Sequence, residues 1–289
     1  MYREHAPVPE LAQRVPCVWL QQRAPDSRRL AASIVPDTCS DLVWTGSELR
    51  VAGPDTRPFV EALAPGTFVA GVRFHCGAGG SVLGAPLSAL RDARVALRDL
   101  WGDDAARLQD ALQGRDAVSA LALLQQAVLV RRRRWLPLDP LVVALVDALG
   151  RERSDPELRT TRLARELGLS ERQLQRRCVA AVGYAPKLLA RILRMMRFRD
   201  ALLRVPERPL SQLAYELGFA DQAHLSHESA RLFGKAPSQL RAAARARLEK
   251  PPTSATRALS MSDFDKTPGA PLCQAERHAR EHLRNQAAR

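Results

Sequence analysis

The sequence predicts a multidomain α+β protein, with a β-rich, cupin-like N-terminal domain that also contains helices and an all-α C-terminal domain. Short apolar segments bounded by Gly, Pro, Asp and Ser fill residues 15–90, which is typical of a small sandwich or barrel. Apolar residues recur with a helical period from about residue 86 onward. A segment near residue 163 recurs about 50 residues later. The 289 residues are enough for two domains.

Five segments in the first third are predicted strands. They are rich in β-branched and aromatic residues, and Gly46-Ser47 between the third and fourth predicts a hairpin. In the last of them, Phe68, Ala70, Val72 and Phe74 alternate with residues that are only partly polar. The predicted strands cover 15–22, 33–36, 41–46, 48–53 and 67–75.

Helices are predicted over 86–112 and, more strongly, over 116–135. Val118, Leu121, Leu124, Val128 and Leu129 share one face of the second helix. That face is a candidate dimerisation surface, or it packs on the β domain of its own chain. The helix ends in four arginines, 131–134; cations suit a helix C-terminus, and contact with phosphates is the alternative.

The composition excludes several classes of protein. No run of about 18 apolar residues is present, so we expect no membrane partner, and no secretory signal is recognisable at the N-terminus. Five scattered cysteines argue against a disulfide framework or zinc site, and we expect a reducing cytoplasm. The motifs HExxH and GxSxG are absent, and the Gly-rich segment 77–84 lacks a Lys and is predicted as a loop. We therefore predict a protein that is not an enzyme and has no cofactor or metal.

The net charge of +13 favours a polyanionic partner. Residues 139–245 carry 19 Lys and Arg against 12 Asp and Glu, the largest excess of any part of the chain. A GC-rich genome is an alternative source of the charge, because 40 of the 44 basic residues are Arg.

An internal repeat indicates what this basic part does. LARELGLS (163–170) matches LAYELGFA (213–220), and further Leu, Gly and Pro positions then match at an offset of 51. Each copy predicts a short helix, a turn at a left-handed Gly, and a second helix capped by Ser170 or Asp221. Two helices across such a turn are a helix-turn-helix unit, and its second helix fits the major groove of DNA.

The exposed residues of the two second helices form a plausible set for reading bases. Arg reads guanine and Gln reads adenine in a bidentate manner. Between the copies, residues 186–205 predict one long helix, with an apolar stripe and with Arg191, Arg194, Arg197 and Arg199 over much of the rest. That helix would place two reading helices in adjacent major grooves. The candidate DNA-binding residues are Arg172, Gln173, Gln175 and Arg176 in the first unit and Gln222, Ala223, His224, Ser226 and His227 in the second.

LARELGLSERQLQRR followed by GFADQAHLS and FGKAPSQLR resembles the AraC/XylS family of bacterial transcription regulators. The resemblance covers about 139–245 and implies that the candidate residues contact bases. The sequence departs from the family pattern at Cys178 and Ser229, where the family usually has an aromatic residue, and at Ala230, where a basic residue is common. We expect looser packing of both reading helices.

The N-terminal half resembles the β-rich sensor domain of a less-studied subgroup of these regulators, through VPDTCSDLVW, VAGPDTRP and FVAGVRFHCGAG. The family implies a small-molecule effector or a homodimer for this half, and RNA polymerase as a further candidate partner. The predicted division is a sensor domain over 1–105, a helical linker over 106–138, a DNA-binding domain over 139–245 and a disordered tail over 246–289.

Two alternatives stay open. His75, Cys76, Cys39 and Cys17 would serve a metal- or redox-dependent sensor or enzyme in the N-terminal half, with DNA binding as its targeting. The other alternative is a protein that binds nucleic acid non-specifically through its arginines. It predicts that affinity falls steeply with salt and that no sequence is preferred.

Overall fold

A computed structural model describes residues 1–25, 30–151 and 156–249. The predicted disordered tail lies almost wholly outside these residues. The last described helix continues to Glu249 and so includes the first four residues of that predicted tail.

Among the described residues of the N-terminal half, eight strands form two antiparallel sheets. A six-stranded sheet has the order β1-β2-β7-β4-β5-β8, and β3 pairs with β6 in a second sheet. Gly46 takes φ +91° between β4 and β5, so the predicted hairpin is confirmed. The strands are β1 (Tyr2–His5), β2 (Cys17–Gln22), β3 (Leu30–Ile34), β4 (Ser40–Trp44), β5 (Leu49–Ala52), β6 (Phe59–Leu63), β7 (Phe68–Phe74) and β8 (Arg94–Ala96).

The six-stranded sheet is covered on both faces. Ala70, Val72 and Phe74 of β7 point into a core shared with the N-terminal helices. On the opposite face Val69 joins a smaller core beneath the two-stranded sheet, together with Trp19. Strands buried on both faces lose the clean apolar–polar alternation, which explains why β7 is apolar on one side and only partly polar on the other.

Five helices accompany this sheet in the part of the N-terminal half that the structure describes. They are α1 (Gly79–Leu83), α2 (Leu87–Leu90), α3 (Arg98–Trp101), α4 (Asp103–Leu112) and α5 (Ala117–Val130), after which a 3₁₀ turn spans Arg131–Arg134. The loop predicted over 77–84 is in fact largely α1. The helix predicted from residue 86 is interrupted, because Asp92 takes φ +55° and residues 94–96 pair with β5 as an edge strand.

The apolar face of α5 packs on the β-sheet of its own chain. Ala120, Leu124 and Val128 are fully buried there, in the same core as Val72. Of the two alternatives for this face, the structure shows the intramolecular one.

Within residues 139–151 and 156–249, seven helices form the C-terminal part. They are α6 (Pro140–Arg151), α7 (Pro156–Glu166), α8 (Glu171–Val182), α9 (Pro186–Arg204), α10 (Leu210–Glu216), α11 (Gln222–Phe233) and α12 (Pro237–Glu249). The pairs α7–α8 and α10–α11 are the two predicted helix-turn-helix units, and α9 packs against both. The predicted fold class, a β-rich N-terminal part with helices and an all-α C-terminal part, is confirmed.

The two halves of the chain share a core. Val35 and Cys76 of the N-terminal half pack into the cluster that includes Val142, Cys178 and Val182. Helices α1 and α2 also contact α8. Among the described residues, no helix combines the length and apolar character that crossing a membrane requires.

Candidate nucleic-acid interface

The two helix-turn-helix units have the same turn. Gly168 and Gly218 take φ +66° and +76°, the left-handed region that favours glycine. The residue after each glycine donates its backbone N–H to a carbonyl of the preceding helix: Leu169 to Ala164 and Phe219 to Ala214, each at 2.9 Å. The predicted left-handed glycine turns are therefore confirmed in both copies.

Each reading helix begins at the predicted cap. The Ser170 hydroxyl accepts the Gln173 N–H at 3.3 Å, and the Asp221 carboxylate accepts the His224 N–H at 2.7 Å. At the first cap the Gln173 side-chain oxygen also accepts the Ser170 N–H at 2.9 Å, which completes a capping box. The side-chain oxygen of Gln173, one of the predicted base-reading groups, is thus engaged by its own helix.

The first reading helix, α8, presents a cationic and amide face to solvent. Arg172, Gln175 and Arg176 are exposed, whereas Leu174 is fully buried and anchors the helix inward. Arg177, also exposed, donates to Asp139 at 3.0 Å, which ties α8 to the segment before α6. Three of the four predicted residues of this unit, all except Gln173, therefore take no part in the cap. They lie together near the N-terminal end of α8.

The predicted residues of the second reading helix, α11, differ from one another in exposure and in their hydrogen-bond partners. Gln222, Ala223 and His227 are exposed. His224 Nδ1 accepts the Ala220 N–H at 3.2 Å, and its ring meets Phe219 edge-on at 5.6 Å. The Ser226 hydroxyl donates to the Gln222 carbonyl at 2.9 Å. His224 and Ser226 are both half-buried, with partners inside their own unit.

Cys178 and Ser229 occupy equivalent buried positions, and both are fully shielded from solvent. The Cys178 Sγ donates to the Tyr184 carbonyl at 3.2 Å, and the Ser229 Oγ donates to the Lys235 carbonyl at 2.6 Å. Each small side chain thus bonds the turn that follows its reading helix. A hydrogen bond to the following turn therefore stands at each site where the family usually has an aromatic residue.

The four arginines of α9 that the sequence places beside the apolar stripe are buried or half-buried. Arg194 and Arg199 are buried, at 7% and 1% exposure. Arg194 donates to the Gly218 carbonyl at 2.7 Å and stacks over Phe219 at 5.2 Å, so it supports the second turn. An arginine stem packs well in an apolar environment when its charged head finds a carbonyl or an aromatic face.

The four arginines after α5 are partly neutralised within the chain. Arg131 and Arg134 both pair with Asp104 of α4, the second at 2.8 Å, and Arg131 stacks over Trp101 at 4.4 Å. Arg132 and Arg133 are exposed. The pairs with Asp104 agree with the interpretation that these arginines are cations at the end of a helix, and they require no contact with phosphates.

The four cysteines that the structure describes and His75 show no metal-binding arrangement. Within the described part of the chain, no group of three or more His, Cys, Asp or Glu could hold a metal ion. Burial raises the pKa of the Cys17 and Cys76 thiols to about 12 and lowers the pKa of His75. Reactive cysteines need the opposite shift.

Comparison with known families agrees with this geometry. Residues 163–243 match a family model described as "Helix-turn-helix domain", and residues 3–96 match a model described as a "Domain of unknown function (DUF6597)". The C-terminal match shows that residues 163–243 form a helix-turn-helix domain. The domain is of the AraC type, as the resemblance to the AraC/XylS family implies, and it supports a DNA-binding role in transcription regulation.

The chain also resembles solved structures at low similarity. One is the C-terminal domain of AraT, a response regulator from Geobacillus stearothermophilus (24% identity, 42% of this chain and 98% of that one, TM-score 0.36). Another is ToxT from Vibrio cholerae (13% identity, 83% and 97%, TM-score 0.38). No curated protein matches the chain.

Proposed function

We propose that this chain is a sequence-specific transcription regulator that reads two adjacent major grooves with α8 and α11 and responds to a small molecule bound by its N-terminal half. DNA is its primary partner, and RNA polymerase is the partner that a regulator engages next. We place its action in the cytoplasm, where bacterial DNA lies. Residues 139–245 act as the DNA-binding domain in this proposal, and residues 1–105 act as the sensor.

One observation carries the two-groove part of the proposal. The first turns of α8 and α11 start at equivalent caps and expose groups that suit base edges. Recognition helices contact bases mainly through their N-terminal residues. Arg172 and Arg176 suit guanine, Gln175 and Gln222 suit adenine, and the Ala223 methyl suits the thymine methyl group. The remaining predicted residues, Gln173, His224, Ser226 and His227, are proposed to hold or flank these groups.

The effector part of the proposal rests on the β-rich N-terminal half. A small space lies between its two sheets, bordered by Trp19, Arg50 and Arg73 on the six-stranded sheet and by Glu61 on β6. Its volume is about 20 Å³, and Arg50 pairs with Glu61 while Arg73 pairs with Asp41, so an effector would bind there only if the two sheets moved apart.

The test is selection of bound sequences from a random duplex library with the full chain at physiological salt. We expect a motif with two blocks about one helical turn apart. R172A and Q222A should each relax the preference at one base pair, by about 1–3 kcal/mol. R132A and Q126A are matched controls, because these residues are exposed outside both units.

An enriched motif that both R172A and Q222A bind with unchanged preference at every position would refute the assignment of the reading residues. Binding with a steep salt dependence and no enriched motif would favour the non-specific binder.

A further inference from the structure

The connection between β5 and β6, residues 54–58, is held rigidly by the N-terminal domain; we call it the brace loop. Asp55 accepts two hydrogen bonds from Arg94, each at 2.8 Å. The Asp92 carboxylate accepts the N–H and the hydroxyl of Thr56, each at 2.7 Å. Both ends of the loop are prolines, which restrict the backbone further.

Pro54, at the first end of the brace loop, lies against the C-terminal end of α8. Gly183 ends this helix with φ +96°, and a Cβ placed on it would lie 2.6 Å from Pro54 Cγ and 3.2 Å from the Leu87 carbonyl oxygen. Arg91 donates to the Gly183 carbonyl at 3.5 Å. The contact is close enough that any side chain at position 183 would displace the loop.

Pro58, at the other end, lies against the C-terminal end of α11. Gly234 ends that helix with φ +65°, and a Cβ on it would lie 3.3 Å from Pro58 Cγ. Gly183 and Gly234 are equivalent residues of the repeat, 51 positions apart. One short loop of the N-terminal domain therefore touches the same point on both reading helices.

The brace loop leaves the reading groups free. It contacts the C-terminal ends of α8 and α11, whereas Arg172 and Gln222 lie exposed at the N-terminal ends. Helix α9 already joins the two units. The brace loop adds a second connection between them, made at the ends of the reading helices themselves.

We propose that the brace loop is a positioning element that fixes the separation and orientation of α8 and α11, and thereby the spacing between the two base blocks of the operator. The inference rests on the proposed two-groove reading. A pair of linked reading helices gains affinity from a rigid connection only when the two sites on DNA match its geometry. A rigid brace therefore makes binding strict about spacing, and a loose one makes it tolerant.

The experiment measures binding of the full chain to the selected operator and to operators whose two blocks are moved apart or together by one and two base pairs. The P54G/P58G variant removes both contacts from the N-terminal side and leaves the helix-turn-helix units unaltered. P25G is the matched control, because Pro25 is exposed in the loop between β2 and β3. We expect the double variant to bind the best spacing about tenfold more weakly and to lose most of its discrimination among spacings.

A double variant with the spacing profile of the wild-type chain would overturn the proposal. If the double variant fails to fold, as judged by thermal melting, P58G alone tests the second contact, since Pro58 is only half-buried; a wild-type profile for a folded P58G would then overturn the proposal. Failure of the proposed function gives a different result, in which the wild-type chain selects no two-block motif at all.

Discussion

Arg191 of α9 holds Glu228 of α11 through two parallel hydrogen bonds of 2.7 Å each. Glu228 is 6% exposed, so the pair fixes the second reading helix to the long helix from inside the domain. Burial acts to raise the pKa of Glu228, but the hydrogen bonds and charge of Arg191, together with the charges of His224 and Arg231, outweigh it and hold the pKa below its ordinary value.

This pair predicts a pH-dependent contribution to stability. A carboxyl group whose pKa is depressed by folding stabilises the protein above its unfolded pKa, and the stabilisation is lost as the pH falls through the folded pKa. We expect E228Q to lower the free energy of unfolding by about 1–3 kcal/mol at neutral pH and by less below about pH 4. Urea unfolding across that pH range measures the difference.

The control for this prediction is E207Q. Glu207 pairs with Arg245 at the surface with 70% of its side chain exposed, so its loss should cost under about 1 kcal/mol. An E228Q deficit that is constant from pH 7 to pH 3 would show that the loss comes from packing rather than from the ionised pair.

The capping box of α8 predicts that Gln173 acts on stability and not on base choice. Q173A and S170A should each destabilise the domain by about 0.5–2 kcal/mol, since both remove partners of the helix N-terminus. Q175A, two residues on and exposed, should leave stability nearly unchanged and relax one base preference instead. Thermal melting and binding-site selection on the three variants separate these effects; a Q173A variant with full stability and altered base preference would reverse the assignment.

The buried face of α5 predicts where its apolar residues act. L124A should destabilise the chain by about 2–5 kcal/mol, because Leu124 is fully buried against the sheet. V118A is the control, since Val118 is 71% exposed and should change stability by under about 0.5 kcal/mol. Loss of a dimer in L124A by light scattering, without loss of monomer stability, would instead support the dimerisation role considered for this helix.

The described cysteines should be poorly reactive in the folded chain. A pKa of about 12 for Cys17 and Cys76 leaves roughly a thousandfold less thiolate than the ordinary value of 9.0 at the same pH, and burial raises the pKa of Cys39 and Cys178 as well. In a C273S variant, we expect slow alkylation by iodoacetamide at pH 8 and four alkylations after unfolding, counted by mass spectrometry. Rapid labelling of any of the four would revive the redox-sensor alternative.

The features that the sequence predicts well are local. Gly168, Gly218, Ser170 and Asp221 each act through backbone geometry within a few residues, and the repeat shows that the same geometry occurs twice. The interruption near Asp92 was missed because residues 94–96 owe their strand conformation to β5, more than 40 residues earlier. The helical period of residues 86–101 carries no trace of that pairing.

Roles that depend on partners distant in the chain could likewise not be predicted from the sequence. The sequence assigns no partner to Arg194, because the Gly218 carbonyl that it binds lies 24 residues further along the chain. Pro54 and Pro58 read as ordinary loop residues, because only the folded chain brings them to Gly183 and Gly234. The core that Val35 and Cys76 share with Val142 likewise exists only in the folded chain, and the sequence does not predict it.

That shared core also bears on how the chain comes apart. Val35 and Cys76 complete the cluster around Cys178. Separating the two halves of the chain therefore exposes apolar surface on each of them. Each half then loses part of its hydrophobic stabilisation. Heat or denaturant should therefore melt the chain in a single cooperative transition rather than as two independent ones, and a piece beginning at residue 139 should melt at a lower temperature than the same residues do within the whole.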